Sequence, residues 1–172
     1  IKVDGGTSEY DVTGCAASVL LKHVDTKAIA KKIGYGNPIF TQAFGADPYA
    51  MEYDGRVYVY MTADDYEYDQ NGNLLDNSFS KINTLRVVSS ADLMNWTDHG
   101  EIAVAGPNGA ATWATNSWAP AIAHKKIDGK EKFFLYFANG GSGIGVLVGD
   151  SPLGPWKDPN GKPLLTYGYP EC

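Results

Sequence analysis

The chain has 172 residues, 44% of them hydrophobic and 20% charged, which marks folded globular material and excludes a disordered tail. The formal net charge of -6 excludes a nucleic-acid partner, which would need a clustered positive surface, and suits a neutral substrate such as a carbohydrate. No run approaches the roughly 18 apolar residues that cross a bilayer, so no membrane partner is expected.

Residues 1–36 differ in character from the rest and read as an N-terminal extension. Ile1 to Thr13 is polar and Gly-rich. From Ser18 to Ile33, Val19, Leu20, Val24, Ala28 and Ile29 are interleaved with Lys22, Lys27, Lys31 and Lys32. That pattern predicts an amphipathic helix with lysines outward, packed on the outside of the domain. The two cysteines, Cys15 and Cys172, have no metal-type spacing; they form either one bridge or two unrelated thiols.

From residue 37 onward the periodicity is that of strands. Twenty glycines and eleven tyrosines suit short strands joined by tight turns. Tyr49 to Tyr53, Arg56 to Ala63, Leu85 to Ser89 and Glu101 to Val104 are apolar or alternating runs bounded by turn residues. A second set follows at Ala119 to Lys125, Lys132 to Ala138, Ile144 to Val148 and around Leu164-Leu165.

The two sets share landmarks in one order. Each opens on an x-Pro element, Asp47-Pro48-Tyr49-Ala50 and Ala119-Pro120-Ala121-Ile122. Each first strand ends in Asp-Gly, at Asp54-Gly55 and Asp128-Gly129, a hairpin signal because Gly accepts positive φ. Each third strand leads through a Ser-containing turn to a tryptophan, Trp96 and Trp156, both read as structural. Four strands per unit, repeated, is the pattern of propeller blades. A β-sandwich with coincidentally similar halves is the rival. Two blades cannot close a ring, so further blades are expected as partners, on the same gene product or a second chain.

Several residues invite chemistry. Asp47 precedes a proline, which favours extended geometry, so its carboxylate is expected at a strand mouth as proton acceptor, ligand or turn cap. Trp118 is expected, by symmetry with Asp47, at the inner end of the second unit, as a sugar-stacking wall or a core residue. Phe44 closes a pocket or packs in the core. Asn116 and Asn139 bind hydroxyls or serve turns. Asp64 and Asp65 follow the second strand as rim or solvated-loop residues. Asp69-Gln70-Asn71-Gly72-Asn73 resembles a calcium loop only in its acids and reads as a turn. His23, His99 and His124 have no spacing for a metal or a triad. Gly140-Gly141-Ser142-Gly143 joins two strands and, with no helix after it, is not a phosphate loop.

The ordered set of motifs carries a family resemblance. Asn37-Pro38-Ile39-Phe40, Ala46-Asp47-Pro48-Tyr49-Ala50, Ser89-Ser90-Ala91-Asp92-Leu93-Met94-Asn95-Trp96, Asn116-Ser117-Trp118-Ala119-Pro120 and Phe133-Phe134-Leu135-Tyr136-Phe137-Ala138-Asn139 resemble the first part of glycoside hydrolase family 43. The likeness is strongest to its arabinofuranosidases and xylosidases of arabinoxylan and covers about Asn37 to Cys172. It implies an all-β, five-bladed β-propeller, of which residues 37–172 supply the first two blades. It implies an inverting glycosidase that removes arabinofuranosyl or xylosyl units from plant cell-wall polysaccharide or oligosaccharides.

By the same resemblance Asp47 is the general base; Phe44, Asn116, Trp118 and Asn139, read from their own positions and chemistry, are the substrate-binding candidates. The pKa-tuning Asp and the acid Glu belong to Phe-Asp-Pro and Glu-Gly-Pro elements of later blades, neither of which occurs in these 172 residues. Many relatives carry an acid after Trp-Ala-Pro; this chain has Ala121. No cofactor is required, and a structural calcium or sodium ion on the propeller axis fits the family. Relatives act outside the cell or, on imported oligosaccharides, in the cytoplasm. Two rivals stand beside the enzyme: a non-catalytic carbohydrate-binding propeller, and an interaction propeller without a sugar site.

Overall fold

A computed structural model describes residues 38–76 and 79–168. The helix expected over Ser18 to Ile33, the extension 1–36 and both cysteines lie outside the described residues. The strands are β1 (Ala46–Tyr53), β2 (Arg56–Thr62), β3 (Thr84–Ser90), β4 (Thr97–Ala103), β5 (Trp118–Ile127), β6 (Lys130–Ala138), β7 (Gly143–Gly149) and β8 (Leu165–Thr166). They form two four-stranded antiparallel sheets, each in simple sequence order, β1-β2-β3-β4 and β5-β6-β7-β8. Each sheet is one blade.

Both first hairpins turn on Asp-Gly with positive φ at both positions: 50° and 71° at Asp54 and Gly55, 50° and 77° at Asp128 and Gly129. This is the type I′ geometry, whose twist matches that of the flanking strands. The next connection in blade 1 is the loop 63–83. Within it, Asp69 accepts hydrogen bonds from the Asn71 and Asn73 backbone N–H groups and from Asn73 Nδ2, at 2.8–2.9 Å. Those bonds hold its carboxyl below the usual range. Asp92 closes the β3–β4 turn in the same way, accepting from the Met94 and Asn95 N–H groups.

β4 begins at Thr97, immediately after Trp96, and not near Glu101. Its first half, Thr97, Asp98 and His99, is polar and exposed, because β4 is the outer edge of the blade. Charged residues on an edge discourage pairing with other chains, and they also erase the apolar alternation by which a strand is read.

The main core lies between the blades. Tyr60, Leu85 and Val87 of blade 1 pack with Ile122, Phe133, Leu135, Phe137 and Leu147 of blade 2, all buried. Each such side chain contributes about 1.5–3 kcal/mol by leaving water. Tyr53 sets its ring edge-on to Phe133 at 4.8 Å, and Trp113 stacks on Phe137 at 6.0 Å. Trp156 joins this core, and Trp96 packs on a smaller cluster of Val59, Met61 and Val88.

Candidate active site

The entrance to each blade is a β-bulge. In blade 1 the ladder pairs Ala46 with Thr62 and then Tyr49 with Tyr60, so one extra residue is accommodated around Asp47-Pro48. In blade 2 the pairing jumps from Trp118–Ala138 to Ala121–Tyr136, around Ala119-Pro120. Proline is tolerated in such a bulge because no ladder N–H is lost. The residue before each proline has left-handed backbone, φ 50° at Asp47 and 42° at Ala119. The extended geometry expected at Asp47 therefore gives way to the bulge, a conformation that costs about 1 kcal/mol or more for a residue with a side chain.

The register also corrects the symmetry expected of Trp118. The counterpart of Asp47 in blade 2 is Ala119, and Trp118 corresponds to Ala46. Trp118 is half-buried, its Nε1 donates to the Phe79 carbonyl at 3.1 Å, and a Cβ added at Gly140 would just touch its ring, at 3.7 Å.

Asp47 is solvent-exposed, and its Oδ2 accepts a hydrogen bond from Thr62 Oγ1 at 3.0 Å. Thr62 is buried at the end of β2, and its Oγ1 also accepts the Ala119 N–H at 2.9 Å. Asp64, two residues beyond, is partly buried. Burial first, and then the charge of Asp47, push its carboxyl above the usual range, while the N–H groups of Asp64 and Ala46 work in the other direction.

Asn116 and Asn139 stand together at the mouth of blade 2. Asn139 is buried, and its Oδ1 accepts from Thr115 N, Thr115 Oγ1 and Asn116 N at 2.9–3.2 Å. Asn116 Nδ2 donates to the Ser80 carbonyl at 2.8 Å, tying the loop before β3 to blade 2. Both amides thus organise the backbone around Trp118. Phe44 lies elsewhere: half-exposed, edge-on to Tyr66 at 4.9 Å, on a cleft shared with Asp64, Asp65, Leu74 and Leu75. Among the described residues no group of three or more His, Cys, Asp or Glu side chains is placed to hold a metal ion.

Thr62 is the site residue that sequence reading misses. Its signal was a lone hydroxyl at the end of an apolar strand, opposite the residue that precedes Asp47.

Adjacent four-stranded antiparallel blades, the first with a carboxylate at the bulged mouth of its inner strand, define the β-propeller class. The family model for glycosyl hydrolases family 43 matches residues 35–168, and the chain belongs to that family. Its two sheets are the first two blades of a five-bladed propeller. The chain is 62% identical over 148 residues to an arabinoxylan arabinofuranohydrolase of Bacillus subtilis (strain 168), covering 83% of this chain and 29% of that protein. It is 55% identical over 150 residues to an arabinoxylan arabinofuranohydrolase of Paenibacillus polymyxa, covering 84% of this chain and 24% of that protein. The crystal structure of a family 43 arabinoxylan arabinofuranohydrolase from Bacillus subtilis in complex with cellotetraose superposes with a TM-score of 0.74 at 62% identity. That match covers 80% of this chain and 30% of the other. The chain thus spans less than a third of the length of these relatives.

Proposed function

We propose that this chain is the base-bearing part of an inverting glycosidase that removes arabinofuranosyl or xylosyl units from arabinoxylan or its oligosaccharides, with Asp47 as general base. The observation that carries this is Asp47 itself: an exposed carboxylate at a strained inner-strand entrance, held by a buried hydroxyl. Asp54 and Asp128 share that left-handed backbone in hairpin turns; Asp47 differs in lying at a bulge with its carboxylate held by a buried hydroxyl. Family membership and two relatives named arabinoxylan arabinofuranohydrolase support the substrate class. The cellotetraose complex of the Bacillus subtilis protein supports an oligosaccharide as ligand.

An inverting site needs a base and an acid about 6.5–9.5 Å apart with a water between them. Asp47, open to solvent, has access to such a water. The acid and its tuning Asp are assigned to later blades, as are the partners that complete the ring. Phe44 and Trp118 are proposed as apolar walls for sugar, and Asn116 and Asn139 as the frame that sets Trp118.

The test is Asp47→Asn in the full-length protein, assayed on arabinoxylan and on an aryl arabinofuranoside. Turnover is expected to fall by at least about 10³-fold with oligosaccharide binding retained. Wild-type turnover in Asp47→Asn rejects the base role. Binding without turnover in the wild-type full-length protein identifies a non-catalytic carbohydrate-binding propeller instead.

A further inference from the structure

We propose that Thr62 is the positioning residue of Asp47, and that it sets the carboxylate by linking it to the backbone of the second blade. The proposal rests on the reading of Asp47 as base. Three atoms carry it. The Ala119 N–H donates to Thr62 Oγ1 at 2.9 Å, and Thr62 Oγ1 donates to Asp47 Oδ2 at 3.0 Å. A hydroxyl has one proton to give. With the Ala119 N–H occupying one side of Oγ1, the hydroxyl's own proton is left for the carboxylate oxygen on the other. Thr62 is only 3% exposed, and a β-branched side chain in a strand has restricted χ1, so the hydroxyl has little freedom to turn away.

The far end of the chain of bonds is equally constrained. Ala119 is the blade 2 counterpart of Asp47 and shares its left-handed backbone. That conformation sits in the bulge where an N–H is released from the β5–β6 ladder, and Thr62 takes it up. The two bulges are therefore one device: the second blade's irregularity supplies the donor that orients the first blade's carboxylate. Asp64 is a carboxylate near enough to Asp47 for their charges to repel, and it already accepts from the Asp64 and Ala46 N–H groups.

The test compares Thr62→Val and Thr62→Ser in the full-length protein, with Asp47→Asn in parallel. Valine keeps shape and removes the hydroxyl; serine restores it. Thr62→Val is expected to lower kcat by about 10- to 100-fold, the scale of one hydrogen bond to a charged group, with KM changed by less than about 3-fold. The acid limb of the rate profile is expected to move to higher pH, and Thr62→Ser to return kcat to within about 3-fold of wild type. A Thr62→Val enzyme that loses stability but keeps kcat and its pH profile overturns the proposal. A double-mutant cycle of Thr62→Val with Asp47→Asn, read by urea unfolding, is expected to be non-additive. Additivity together with a dead Asp47→Asn removes Thr62 alone; an active Asp47→Asn removes the base reading and, with it, the catalytic part of this one.

Discussion

Tyr60 of blade 1 donates its hydroxyl to the Pro152 carbonyl of blade 2 at 2.6 Å, across 92 residues of sequence, and the ring is fully buried. Burial pushes this phenol far above the ordinary tyrosine value, with Tyr58 adding to the shift, so it keeps the proton it donates. It is a polar bond between the blades inside an otherwise apolar core. Tyr60→Phe keeps the ring and leaves a carbonyl unpaired, and is expected to cost about 1–3 kcal/mol in chemical unfolding. A loss under about 0.3 kcal/mol would show that the contact contributes nothing.

Gly145 faces Phe137 across the β6–β7 ladder, and a Cβ there would stand 2.3 Å from Phe137 Cζ. Phe137 is 1% exposed and cannot swing aside. Gly145→Ala is expected to destabilise by about 1–3 kcal/mol through overpacking. Because the clash is with one ring, adding Phe137→Leu to Gly145→Ala should cost less than the two separate losses predict. Full additivity in that cycle would place the damage elsewhere.

His99 carries a pH signal. Ser89 Oγ accepts from Arg56 Nη2 at 2.8 Å and lies 2.7 Å from His99 Nε2, with the direction of that second bond following the ring's tautomer. Burial, and then the charge of Arg56, hold this histidine below its usual pKa. A histidine that titrates lower when folded leaves the extra proton to the unfolded chain. Stability is thus unaffected well above about pH 6.5 and falls as pH drops through that value toward the folded pKa. Urea unfolding at about pH 7.5 and 5.5 should show a larger drop for wild type than for His99→Gln. Equal drops reject the assignment.

Much of this architecture was legible because local signals and global fold agree. β2 and β6 alternate, and the Asp-Gly turns carry their own geometry, so strand positions and the propeller pattern follow from short stretches. What escaped was set at long range. The polar half of β4 is a strand only because β3 offers it a ladder. The left-handed backbone at Asp47 runs against the preference before proline and is imposed by the bulge. Whether Trp118 or Ala119 matches Asp47 is a one-residue register question that sequence symmetry does not answer. The Thr62–Ala119 bond spans 57 residues between chemically unremarkable positions.

Asp64 offers a last test, in which stability and activity should part. Its pKa is raised in the fold, so the folded state holds the proton more tightly than the unfolded chain does. The cost of its charge is absent below about pH 3.8, where both states are protonated, and complete above the folded value. Asp64→Asn keeps an oxygen for the Ala46 N–H and removes the charge that faces Asp47. At neutral pH it is expected to stabilise by roughly a few tenths of a kcal/mol, a modest gain because the site is open to solvent and screened. The gain should shrink in high salt and vanish toward pH 3. Two like charges kept side by side at a strained strand entrance oppose the fold, and such arrangements concentrate where chemistry is done. A more stable Asp64→Asn should therefore be the slower full-length enzyme. A variant both more stable and equally active would assign that charge to the solvated rim and leave Asp47 to work with Thr62 alone.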